Sequence, residues 1–293
     1  MSENSNGAYL EEERTAKVRR EASLKRPEGE SNPNNIYIEE EVDEKVRVLT
    51  HLTPNHVLDP NDVFLVGYMK SGTTWFRNLI AGVVYGLTSE YVPFAAVWEL
   101  IPNHGPRKPY YKRYQTPTYF KSHDFPRPQY LRVVYLMRDG RDVVVSLAHH
   151  MKNVYKQDVD MLELVKGRHP IFSARYEWYK HVESWLANPY NAEMIIIKYE
   201  DLKKDPLPEL RRFCKFAGIE RDDALLEKAV AFASFENMRE RETRLGIDYR
   251  TWPKDKFFVR KGQVGSHKEE MPPEILEKFM RKAAGTLSKV GYL

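Results

Sequence analysis

Nine residues, Gly67-Tyr68-Met69-Lys70-Ser71-Gly72-Thr73-Thr74-Trp75, follow the short apolar run Val63-Phe64-Leu65-Val66 and lead into the helical pattern Trp75, Leu79, Ile80, Val83, Val84. A buried strand, a glycine-bounded loop and an amphipathic helix in that order leave few folds open. The loop N–H groups and the partial positive charge of the helix start converge on one point, where an anion such as a phosphate is favoured. The loop keeps the glycine spacing of GxxxxGK[ST], but Thr73 stands where that motif requires lysine, and Lys70 sits inside the loop. Magnesium-dependent γ-phosphate transfer is thereby disfavoured, because there the lysine after the second glycine reaches the β- and γ-phosphates while the next hydroxyl holds the metal.

Further apolar runs alternate with helical periodicity. Val63 to Val66, Thr118 to Lys121, Leu131 to Met137 and Met194 to Ile197 read as strands, and Thr74 to Tyr85, Asp142 to Met151, Ile171 to Leu186, Leu207 to Ala217 and Asp222 to Phe232 as helices. This alternation predicts an α/β fold, a P-loop-like central, mainly parallel β-sheet flanked by helices on both faces. At 293 residues and 42% hydrophobic content the chain can bury a substantial core. We expect a single domain over residues 36–293, after a polar, charge-rich mobile or helical arm at 1–35. The absence of a bilayer-length apolar run or a signal sequence predicts a cytoplasmic enzyme without membrane partners. A net charge of +4, from 46 basic and 42 acidic residues, gives no nucleic-acid footprint. Cys214 is the only cysteine and lies in the amphipathic pattern Leu210, Phe213, Cys214, Ala217, so it reads as buried, with no disulfide framework or zinc cluster.

A second anion-binding segment follows. The run Leu131-Arg132-Val133-Val134-Tyr135-Leu136-Met137 brings Arg138 to the carboxyl edge of the sheet before a turn at Asp139-Gly140, with Asp142 in the start of the next helix and Ser146 about one turn beyond it. A planar guanidinium holds a phosphate bidentately; surface pairing of Arg138 and Arg141 with Asp139 and Asp142 is the competing reading. Lys121 and His123, two apart at a strand end, point to one face. An imidazole titrates near working pH and can take a proton from a hydroxyl. An ordinary hydrogen-bonded histidine is the alternative there, and the preferred reading for His149 and His150 inside a helix.

From Asp62 to Lys268 these segments, in this order, resemble the cytosolic sulfotransferases. The first loop is similar to that family's 5′-phosphosulfate loop YPKSGTTW, with Met69 for proline. YLMRDGRDVVVS resembles its 3′-phosphate motif YxxRNxKDxxVS, with Asp139 for asparagine and Arg141 for lysine. Lys121-Ser122-His123 resembles the KTH or KSH segment of the general base, and Tyr199-Glu200-Asp201 a nucleotide-contacting segment. Ala233-Ser234-Phe235-Glu236-Asn237-Met238 resembles TSFxxM near the adenine, with Ala233 for threonine. Phe257 to Gly265 resembles RKGxxGDWK, although Ser266-His267-Lys268 stands where Asp-Trp-Lys is usual.

The resemblance implies that the donor is PAPS, adenosine 3′-phosphate 5′-phosphosulfate, with PAP as product and no metal. Its contacts would be Lys70, Ser71, Gly72, Thr73, Thr74, Trp75, Arg138, Ser146, Tyr199, Ser234, Phe235, Met238, Arg260, Lys261 and Gly262. Catalysis would fall to His123, Lys70 and Lys121, moving a sulfuryl group in line to a hydroxyl or amine of a small-molecule acceptor. The family's KxxxTVxxxE dimerisation segment is absent, which implies a monomer or a different dimer. A magnesium-dependent P-loop kinase and a non-catalytic nucleotide-binding module are the rival readings. The segments expected to line the acceptor pocket, Phe94 to Pro109, Asn153 to Arg168 and Glu240 to Lys256, mix aromatics with charge and leave room for a polar or cationic acceptor.

Overall fold

The four apolar runs expected as strands pair into one parallel sheet. The computed structural model describes residues 51–105, 109–155, 160–168, 177–247, 256–259 and 262–293. The arm expected at 1–35 lies outside these residues, as do Arg260 and Lys261, residues 171–176 of one expected helix, and parts of the three acceptor segments. The chain runs through β1 (Leu52–Pro54), β2 (Val63–Gly67), α1 (Thr73–Tyr85), α2 (Phe94–Leu100), β3 (Tyr110–Lys112), β4 (Tyr119–Ser122) and β5 (Arg132–Met137). There follow α3 (Gly140–Tyr155), α4 (Met161–Val165), α5 (Trp178–Ala187), β6 (Glu193–Lys198), α6 (Tyr199–Lys204), α7 (Pro206–Ala217) and α8 (Asp223–Phe232). The chain closes with α9 (Phe235–Leu245), α10 (His267–Glu270) and α11 (Pro273–Lys289).

The strand order is β4-β2-β5-β6, every pair parallel, with Val63 beside Tyr119 and Arg132, and Arg132 beside Glu193. β2 and β5 are neighbours, yet the chain leaving β2 returns on its outer side as β4 and the chain leaving β5 returns on its other side as β6. Their carboxyl ends therefore flank a cleft, the position where open α/β sheets bind ligands. β1 and β3 form a separate antiparallel pair.

Strand alternation sorts the core into two layers. Val63, Leu65, Val134 and Leu136 meet Phe76, Leu79 and Ile80 of α1, Leu210 and Phe213 of α7, and Leu226, Ala229 and Phe232 of α8. Phe64, Val66, Val133, Tyr135 and Met137 meet Val143, Leu147 and Met151 of α3, Trp178, Val182 and Trp185 of α5, and Phe279 and Leu287 of α11. Both faces of the strands are covered, which is why they read as unbroken apolar runs. Each fully buried Leu or Phe contributes about 1.5–3 kcal/mol. Cys214 is buried in the first layer.

Two boundaries differ from the sequence reading. The turn expected at Asp139-Gly140 is already helix at Gly140; a Cβ there would lie 2.4 Å from the Trp178 ring and 2.7 Å from Phe279, so the glycine lets the start of α3 pack against α5 and α11. The expected helix Asp142 to Met151 thus gains residues at both ends. α11, although its Ile275, Phe279, Ala283, Leu287 spacing is helical, was not among the expected elements. Among the described residues no helix is long and apolar enough to cross a membrane.

Candidate active site

At the carboxyl end of β2 the loop needs two left-handed residues, Lys70 at φ 68° and Gly72 at φ 89°. Gly72 is doubly constrained, since a Cβ would also lie 2.6 Å from the Tyr199 ring. Gly72 is the N-cap of α1 and no side chain caps that end, so the first-turn N–H groups lack intrahelical acceptors. They open on a cavity of about 400 Å³ lined by Lys70, Gly72, Thr73, Thr74, Trp75, Lys121, His123, Arg138, Ser146, Tyr199, Phe235, Met238 and Gly262. Thirteen of the seventeen residues singled out from the sequence thus share one cavity. Ser71 is buried in the loop with its N–H donated to Tyr68 O at 3.1 Å, and does not line the cavity. Ser234 does not line it either; its hydroxyl caps α9 by accepting from Asn237 N at 3.1 Å.

β5 delivers Arg138 to the opposite wall, 8% exposed. Its Nη1 donates to Lys70 O at 3.2 Å, its Nη2 to Gln263 O at 2.9 Å, and its guanidinium lies 4.3 Å from the Tyr199 ring centroid. Its buried Nε has no hydrogen-bond partner. Asp142, in the first turn of α3, accepts from Gly265 N at 2.7 Å and His267 N at 3.0 Å, bonds His267 Nδ1 at 2.7 Å, and lies 3.7 Å from Arg138 Nη2. Burial pushes its carboxyl up, but the His267 and Gly265 bonds and Arg138 outweigh that and hold it below the usual carboxylate range. This clasp brings Gly262 and Gln263 to the cavity. Arg141 pairs with Asp139 at 2.7 Å and also donates to Tyr292 O at 2.8 Å, so the carboxylate that replaces the family's asparagine is neutralised locally. The competing pairings read from the sequence are therefore present, but inside the protein rather than on its surface.

On the third side Trp75 Nε1 donates to Ala233 O at 2.9 Å, its ring meets Tyr199 edge-on at 5.6 Å, and Lys203 Nζ lies 5.6 Å from it. Glu242 accepts from Phe258 N at 2.5 Å and Val259 N at 3.0 Å, while Arg239 donates to Val259 O at 2.8 Å and lies 3.5 Å from the Phe257 ring centroid. These bonds from α9 hold residues 257–259 across the cavity, with Phe258 5.3 Å from Lys70 Nζ.

At the β4 end the His123 Nδ1 is 2.6 Å from Gly67 O, so Nδ1–H donates and Nε2 keeps the lone pair. Burial, then the charge of Lys121, lower its pKa well below 6.5 against the raising effect of the Gly67 bond, with Lys70 adding to the lowering. His150, read from the sequence as incidental, also lines the cavity and is lowered to about 2 by burial and by Lys70 and Lys121. Arg77, Trp98, Lys203, Phe258, Gln263 and His149 line it as well. Phe258 and Gln263 lie inside the segment that resembles RKGxxGDWK, Trp98 lies inside an expected acceptor segment, and Arg77, Lys203 and the two histidines follow recognised segments closely. Yet no local signal marks any of them individually, since their place in the cavity depends on long-range packing.

A family model described as "Sulfotransferase domain" matches residues 60–291. The flavonol 3-sulfotransferase of Flaveria bidentis is 26% identical over 251 residues, covering 75% of this chain and 80% of that protein. Sulfotransferase 1E1 of Bos taurus is 26% identical over 251 residues, covering 75% and 81%. Among solved structures, retinol dehydratase in complex with androsterone and inactive cofactor PAP aligns with TM-score 0.62 at 20% identity over 80% of this chain and 82% of that one. Mouse sulfotransferase SULT7A1 complexed with PAP aligns with TM-score 0.56 at 23% identity over 77% and 85%. At those identities the likeness is one of fold. The family match runs without break from the residues before β2 to the end of α11, taking in every strand that frames the cavity, and the chain belongs to the sulfotransferase family.

Proposed function

We propose that this sulfotransferase moves a sulfuryl group from PAPS to a hydroxyl of a small-molecule acceptor, with His123 as the general base. One observation carries this reading: the uncapped start of α1, Arg138 and a histidine with Nε2 unprotonated line the same cavity. Two features support the fit of a doubly phosphorylated nucleotide. The first turn of α1 offers N–H groups without acceptors, and the buried Arg138 Nε has a donor left to give.

Lys70, Gly72, Thr73 and Thr74, with Ser71 shaping the loop, would hold the 5′ end, and Trp75, Tyr199, Phe235 and Met238 the base, beside the α9 start that Ser234 caps. Arg138, Ser146 and Gly262, with Arg260 and Lys261 of the same segment, would hold the 3′-phosphate. When bound, the donor supplies the sulfuryl group. His123 is fixed through Nδ1 on Gly67 O and kept neutral, so Nε2 takes the acceptor's proton as the oxygen becomes nucleophilic. Lys70 compensates charge on the bridging oxygen that leaves with PAP, and Lys121 charge on the sulfuryl oxygens, as preorganised cations do for other developing anions. A cytoplasmic setting suits a chain whose one thiol, Cys214, is buried and free.

A thermal-shift series tests the reading. PAP is expected to raise Tm, because a ligand bound by the folded state alone stabilises it, while ATP with magnesium leaves Tm close to that of buffer. Stabilisation by ATP with magnesium and not by PAP would transfer the assignment to the kinase reading.

A further inference from the structure

Five cationic side chains, Lys70, Arg77, Lys121, Arg138 and Lys203, line the cavity, and among the described residues that line it there is no aspartate or glutamate. Four of them have places in the donor reading or beside Trp75. Arg77 has none. It is 3% exposed, on α1. Its Nη2 donates to Trp98 O at 2.9 Å and to Ile101 O, and its Nη1 makes a long bond of 3.4 Å to Asn103 Oδ1. A guanidinium has five N–H donors; Nε here makes no hydrogen bond. No described carboxylate acts on this charge, and burial alone lowers its pKa, to about 9, which leaves it protonated at neutral pH. A buried charge is normally paired, because desolvation otherwise goes uncompensated.

The neighbours of Arg77 locate it toward the acceptor. Asn103 bridges Lys121 in β4, whose carboxyl end leads to His123. Trp98 is a cavity wall on that same side, with its ring 6.0 Å from the Arg77 guanidinium. Resting on the sulfotransferase reading above, we propose that Arg77 docks an anionic group of the acceptor, so that the preferred acceptors are hydroxylated carboxylic acids and not amines. This reverses the room for a cationic acceptor that the charged loop sequences suggested.

The test uses the full chain with PAPS and a set of phenols. These are 4-hydroxybenzoate, 4-hydroxyphenylacetate and 3-(4-hydroxyphenyl)propionate, the methyl ester of each, and tyramine. We expect kcat/KM for the best acid to exceed that of its ester by roughly 10- to 100-fold, the range of one hydrogen bond between charged groups, with tyramine lowest. In Arg77→Gln the acid-to-ester ratio should fall toward one, and Arg77→Lys should retain part of it; PAP binding by each variant reports that its pocket is folded. If Arg77→Gln does not fold, the wild-type ratio and Arg77→Lys decide. Equal use of acid, ester and amine at all three spacings, or an unchanged ratio in Arg77→Gln, overturns the docking role while PAP binding stands. Failure of the wild type to bind PAP overturns the sulfotransferase reading and this proposal with it.

Discussion

His123 and Arg138 show how little of a side chain's chemistry lies in its identity. The imidazole is one of nine in the chain, and what separates it is the Gly67 carbonyl on Nδ1 and the burial that, aided by Lys121 and Lys70, keeps it uncharged. His123→Ala is therefore expected to keep PAP affinity by calorimetry while turnover falls by about 10²–10⁴-fold, the usual share of general-base catalysis; unaltered turnover would remove His123 from the mechanism. Because its pKa sits well below 6.5, Nε2 stays unprotonated as the pH falls through 6.5. The acid limb of kcat should accordingly lie below pH 6.5, and a limb at an unperturbed histidine value would contradict the assigned environment. Arg138→Ala should weaken PAP binding by about 1.5–3 kcal/mol, one charge-assisted contact; equal binding isotherms would refute its place at the phosphate.

At the scale of elements, each loop of the cavity is fixed by another element. The start of α3 holds residues 265–267 through Asp142, and α9 holds residues 257–259 through Glu242 and Arg239. Asp142→Ala leaves three donors without their acceptor. Urea unfolding should show a loss of about 1–3 kcal/mol for each donor that stays buried and unpaired. PAP affinity should fall as well, since Gln263 would no longer be held against Arg138. Wild-type values of both quantities would show that the clasp is incidental. The strand elements were legible because burial on both faces writes a continuous apolar run. α11 was legible in principle from its four-residue spacing, yet its docking against α5 across the sequence is what makes it part of the core.

For the molecule as a whole, buried histidines couple folding to pH. His123 is held well below 6.5, His181 at about 4 and His150 at about 2, in each case with burial as the largest cause. The unfolded chain binds protons at these sites near pH 6.5 while the folded chain does not, so the stability is fully present above that value and is lost as the pH falls below it. Each buried histidine should remove about 1.4 kcal/mol per pH unit below 6.5 until its folded pKa is reached, down to about 4 for His181. Denaturant midpoints measured between pH 7 and pH 5 test this; a flat profile would show that these rings are hydrated.

The local sequence determined the glycine-bounded loop at the start of α1, the parallel sheet and most of the side chains that line the cavity, because glycine conformation, strand burial and helix starts are written within a few consecutive residues. Tertiary structure alone decided that Ser71 and Ser234 serve the loop and a helix cap, that Asp139 and Asp142 are satisfied inside the fold, and that Arg77 stands buried with no carboxylate against it among the described residues. Those outcomes depend on which groups meet across long stretches of chain, and neither composition nor periodicity records where a buried charge finds its counterpart.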